Sequence, residues 1–145
     1  MDENLELLEY IYKDSDMSVI TLEKLLQELN DKDNKIKKKT EEILKSYEDF
    51  LSKSKKLLNK FDSPLEENSY TAKMGAKMGI KKEVKSDNSD AAIADMLIKG
   101  ISMGSIDIEK KITNYKEVVN KKYLDFASEF LKFQQKTIEE LKAFL

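Results

Sequence analysis

The chain has 145 residues, 40% of them hydrophobic and 37% charged, with 4 Gly, 1 Pro and a formal net charge of −2. This suits one domain, residues 1–145, with a real core, and the balance is that of helical bundles rather than of disordered chains. There is no Cys, no His and, because all 26 basic residues are Lys, no Arg; disulfides, thiolate or imidazole chemistry, Cys- or His-ligated metals and guanidinium clamps on phosphate are thereby excluded.

The first predicted helix spans about 2–30. Leu5, Leu8, Tyr12, Ser15, Val19, Leu22, Leu26 and Leu29 recur three and four apart, beside a second stripe of Leu8, Ile11, Ser15, Ser18, Leu22, Leu25 and Leu29. Two adjacent stripes make a face wide enough for a bundle, and they leave Glu3, Glu6 and Glu9 pointing outward. Asn30-Asp31 breaks this helix from a second at about 32–61, with Ile36, Thr40, Ile43, Tyr47, Phe50, Ser54, Leu57 and Phe61 on its inner face. So short a link makes the two antiparallel neighbours. Residues 1–31 hold 2 Lys against 9 acids and residues 32–62 hold 10 Lys against 6 acids, so the pair also attracts. Lys37-Lys38-Lys39 reads as a solvated helix face.

Asp62-Ser63-Pro64 ends the second helix, with Ser63 as N-cap and Pro64 as first residue of a short crossover helix at about 64–84. Within it Ala72-Lys73-Met74-Gly75 is echoed by Ala76-Lys77-Met78-Gly79. Tyr70, Met74 and Met78 share one side, while Ala72, Gly75, Ala76 and Gly79 form a small-residue patch suited to close backbone approach. Each glycine costs about 1 kcal/mol relative to Ala, so this helix is weak. Ser89 or Asn88 caps a third long helix at about 89–116, whose inner face is Ile93, Leu97, Ile101, Gly104, Ile108, Ile112 and Tyr115. After a turn near Lys116–Val118, a last helix at about 119–145 presents Tyr123, Ala127, Phe130, Gln134, Thr137, Leu141 and Phe144. The expected fold is all-α: an antiparallel four-helix bundle with a long crossover.

Two long-helix hairpins joined by a crossover of roughly 27 residues, long enough to run the length of a helix, resemble the ferritin-like superfamily. The likeness covers the whole chain, rests on architecture, and is nearest to small bacterial members lacking di-metal ligands. Active members of that superfamily hold two metals between inward Glu residues and Glu-x-x-His pairs. No Glu-x-x-His occurs here, so no ligand position carries over and no cofactor is expected. Asp107 flanks its helix's inner stripe as a single acid, and Glu139-Glu140 lie near the chain end.

At the central turns, Ser15 and Ser18, Tyr47, Gly104 and Gln134 replace aliphatics at core positions. Small residues facing a large Tyr fill a layer at normal density, and a buried Gln needs the hydroxyls around it. The layer reads as a satisfied polar stratum fixing register, or as a pocket where relatives keep a metal centre. Lys99 and Lys111 come closest to the inner face but snorkel outward. No catalytic motif is present, so the first expectation is a non-enzymatic bundle acting through protein contacts. It would self-associate as a homodimer through Met74, Gly75, Met78 and Gly79, whose methionines adapt to partners. The alternative is a small molecule or metal in the mid-bundle layer. Near-neutral charge gives no reason to expect nucleic acid, and no apolar run approaches the roughly 20 residues of a membrane span. The acidic opening MDENLELLEY lacks a secretory signal's basic and apolar regions; the expected location is the cytoplasm.

Overall fold

The structure is a computed structural model that describes residues 2–145. Five α-helices and a terminal 3₁₀ turn are its only regular elements among those residues: α1 (Glu3–Glu28), α2 (Ile36–Leu58), α3 (Tyr70–Ser86), α4 (Asp90–Tyr115) and α5 (Lys121–Leu141), then Lys142–Phe144. The chain is all-helical, and no helix among the described residues is long and apolar enough to cross a membrane.

Helix ends are tied in pairs, and the ties fix directions. The Asp90 carboxylate, in the first turn of α4, accepts from the backbone N–H groups of Lys35 and Ile36 at 3.3 and 3.4 Å. It thereby caps α2, whose own N-cap Lys35 supplies no side-chain bond, and its negative charge suits two helix N-termini at once. Asn34 joins in, donating to Asn88 O and to Asp90 Oδ1 at 2.8 and 2.9 Å. At the opposite end Asn4, in the first turn of α1, accepts from the backbone N–H of Asn120, the N-cap of α5, at 2.7 Å. So α2 and α4 start at one end, α1 and α5 at the other.

α1 and α2 pack as one hairpin, α4 and α5 as another, and α3 lies against α1. The aliphatic core fills both ends: Leu7, Leu8, Ile11 and Ile108 at one, Leu25, Leu29, Ile36, Ile93 and Leu141 at the other, all at most 1% exposed. An aromatic seam joins α2 to α5, with Phe50 and Phe130 ring centroids 5.0 Å apart and Tyr47 edge-on to Phe133 at 4.9 Å. Such pairs contribute about 0.5–1.5 kcal/mol each beyond burial.

Two helix starts lie several residues from their sequence expectation. α2 begins at Ile36 rather than near 32, because Asn34 and the backbone at Lys35 are engaged by α4. Ser63-Pro64 does not open the crossover helix. Ser69 does, accepting from Ala72 N at 3.1 Å, while the preceding stretch docks on α1 through Tyr12 Oη to Glu67 at 2.7 Å and Asn68 Nδ2 to Lys13 O at 2.9 Å. Of the two candidates for α4, Ser89 is the cap, accepting from Ala92 N at 3.2 Å. α3 buries a single residue, Val84.

Candidate functional site: a polar layer beneath an apolar pocket

Ser15, Tyr47, Gly104 and Gln134 are buried and Ser18 is half-buried. Gln134 Nε2 donates to Tyr47 Oη at 3.2 Å and to Asp14 Oδ2 at 2.9 Å. The first contact joins the two residues paired in the sequence reading. The second brings in a carboxylate that reading missed. Ser18 Oγ reaches the other oxygen of Asp14 at 3.4 Å.

Gly104 makes the arrangement possible. A Cβ there would stand 2.7 Å from Asp14 Oδ2 and 3.0 Å from Gln134 Nε2, so any side chain on α4 at this height displaces the hydrogen-bonded pair. Its carbonyl also accepts from Tyr10 Oη at 3.2 Å. Asp107 does not reach inward; it stays exposed, with Oδ2 3.4 Å from Tyr10 Oη.

The layer is under-satisfied. Elsewhere in the core, hydroxyls bond to a carbonyl one turn back, as Thr40 does to Ile36 O and Thr137 to Phe133 O. Ser15 Oγ and Gln134 Oε1 are buried without a partner, a cost of about 1–3 kcal/mol for each such group. Burial pushes the Asp14 carboxyl up to about 6, helped by the charge of Asp107; hydrogen bonds from Gln134 and Ser18 pull the other way without cancelling it. Burial, then the Asp14 charge, also holds the Tyr47 phenol well above its ordinary range.

Above the layer, between α1, α3 and α4, lies a half-open cavity of about 260 Å³. Asp14, Ser18 and Tyr47 form its polar floor, with Thr21 beside them. Met17, Leu22, Ile80, Met96, Leu97 and Ile101 are its apolar walls, and Gly100 sits at the rim with open space where a Cβ would be. Few polar groups converging in an apolar concavity is the usual make-up of small-molecule sites. A larger depression of about 690 Å³ at Asn30–Asn34 and Asn88 is open and polar; the helix N-termini beside it are already capped, α2 by Asp90 and α4 by Ser89.

The other sequence candidates fall elsewhere. Glu9 does not point outward: it is 8% exposed and lines a cavity of about 210 Å³ together with residues 63–65. Burial first, then the hydrogen bond its protonated form donates to Glu66, raises its carboxyl above the ordinary range. Glu139 pairs with Lys142 and Glu140 with Lys39, each at 2.8 Å. Lys111 does snorkel outward, over the Tyr10 ring at 5.3 Å and toward Glu6, and Lys99 meets Asp95 at 2.7 Å. Gly75 and Gly79 face open space, so their patch receives no close approach from this chain. Met74 and Met78 are 37% and 68% exposed.

Among the described residues no three His, Cys, Asp or Glu side chains converge as a metal ion needs. In comparisons with known proteins, no family model, no curated protein and no solved structure matches this chain.

Proposed function

We propose that the chain is a non-enzymatic four-helix bundle of ferritin-like topology that holds a small molecule in the cavity between α1, α3 and α4. The topology reading is supported by the helix directions, α1 and α5 one way and α2 and α4 the other, with residues 59–89 carrying the chain back between the hairpins. One observation carries the functional reading: the Asp14 carboxylate and the Ser18 and Tyr47 hydroxyls converge on the floor of a mostly apolar cavity. Catalysis finds no support there, since Asp14 is the only carboxylate lining the cavity and no imidazole or thiol exists to work with it.

The test is methyl NMR of the full chain with three small aromatic probes: benzylammonium, benzyl alcohol and benzoate. At least one is expected to shift the Met17 and Met96 methyl signals, and Gly100→Leu, which fills the rim, is expected to abolish those shifts. Unmoved Met17 and Met96 with all three probes would overturn the reading.

The exposure of Tyr70 (77%) and Met78 (68%) favours a second reading, a homodimer through Met74, Gly75, Met78 and Gly79. Against it, a second copy laid α3 to α3 brings Lys73, Lys77, Lys81, Lys82 and Lys85 against the same five lysines. Sedimentation decides: association at tens of micromolar that Met78→Lys weakens supports the dimer, and a monomer rules it out.

A further inference from the structure

Asp14 is a carboxylate without a cation. Its two donors, Gln134 Nε2 and Ser18 Oγ, are neutral, and the charged neighbour that bears on it is another acid, Asp107 on α4. The remaining titratable groups that feel it are the phenols of Tyr10 on α1 and Tyr47 on α2; α5 presents only the neutral amide of Gln134. Nearby lysines are engaged elsewhere: Lys13 with Glu66, Lys73 with Asp16, Lys99 with Asp95 and Lys111 with Glu6. Lys77 and Lys81 of α3 are exposed.

We infer that the cavity takes an organic ammonium ion, its charged nitrogen on Asp14 and a small apolar body against Met17, Ile80, Met96 and Ile101. This rests on the cavity being a ligand site. Three ligand classes meet this floor differently. An anion meets like charge. A neutral molecule of the right shape buries the walls but strips water from the carboxylate, leaving a charge desolvated and unpaired. An ammonium ion removes that penalty, because a charge-assisted N–H···O⁻ bond forms where the local dielectric is low. The cavity's size sets the body: at about 260 Å³ it lies below the roughly 300–1,000 Å³ of drug-sized pockets and above the about 150 Å³ that accepts benzene. Met17 and Met96 let the walls conform, and α3, with Val84 as its one buried residue, is the most weakly held wall.

Calorimetric titration of the full chain against benzylammonium chloride and benzyl alcohol, in a fixed KCl background at pH about 7.5, tests the inference. Wild type is expected to bind benzylammonium at least about tenfold more tightly than the isosteric alcohol, the order of difference one charge-assisted bond supplies. Asp14→Asn is expected to erase that preference while still binding the alcohol. Lowering the pH on wild type through about 6, where Asp14 takes up a proton, is expected to erase it too, and this arm stands even if the variant fails to fold. Equal affinities in wild type, a preference surviving in Asp14→Asn, or a preference constant with pH overturns the ammonium inference and leaves the cavity reading standing. Binding of neither molecule by any form overturns the ammonium inference, and the cavity reading falls with it when benzoate too leaves Met17 and Met96 unmoved.

Discussion

The same polar layer is closed on one side and thinly covered on the other. Toward α5, the Tyr47 ring meets Phe133 and Phe130 edge-on at 4.9 and 6.1 Å, with Phe50 behind them. Toward α3, the cover is Met17, Ile80 and Met96, over a carboxylate and hydroxyls. Both sides hang on Gln134, which reaches Tyr47 with one N–H and Asp14 with the other. Interlocked rings fill one side, and an open cavity stands on the other. The aromatic side holds the layer's geometry, and the α3 side gives access to it.

The largest expected effect sharpens that contrast. Phe130→Ala, at a residue with 0% exposure, should lose about 3–5 kcal/mol in denaturant unfolding. Ile80→Ala, a half-buried wall of the cavity, should lose less than about 2 kcal/mol, below the range of fully buried Ile. Equal losses would dissolve the distinction between a packed side and a covering side.

The next effect is electrostatic. Asp14 in the folded chain sits at about 6, above its ordinary 3.8, so the folded state holds the proton more tightly. The stability tied to that proton is full below the ordinary value and is lost as pH rises through about 6. At about 1.4 kcal/mol per unit, the stability of Asp14→Asn relative to wild type should grow by about 2–3 kcal/mol between pH about 4 and 8. Parallel profiles for the two proteins would mean that the carboxylate is not buried unpaired.

Two glycines on α4 give the smallest and most local contrast. Gly104→Ala pushes its Cβ into the Asp14–Gln134 pair and should cost about 1–2 kcal/mol, the lost hydrogen bond outweighing better helix propensity. Gly100→Ala meets open space and should gain about 0.5–1 kcal/mol. If both variants gain, the layer tolerates displacement at that point.

Much of this was legible from spacing alone. The stripes through Leu8, Ile11 and Leu22, or Phe130, Gln134 and Leu141, have the period of buried helix faces, and the structure buries them. Gln134 and Tyr47 stood out as polar groups at core positions, and they are bonded to each other. Asp14 escaped because the face of α1 is wider than two stripes. Leu7, Ile11, Asp14, Ser18, Thr21 and Leu25 form a third at the same spacing, and the full burial of Leu7 marks it as inward; counting that stripe would have found the carboxylate. Glu9 was a different miss. It shares a cavity with residues 63–65, a long-range proximity that helical period does not encode. The cap that Asp90 places on α2 is likewise set by tertiary packing rather than by the local residues.

The most direct test of the uncompensated carboxylate is a carbon-13 NMR titration of the Asp14 side-chain carboxyl in the full chain. A midpoint near 6 that falls by at least about one unit in saturating benzylammonium is the predicted result, since a cation on the carboxylate favours its charged form. A midpoint near the ordinary 3.8, unmoved by the amine, would contradict the account.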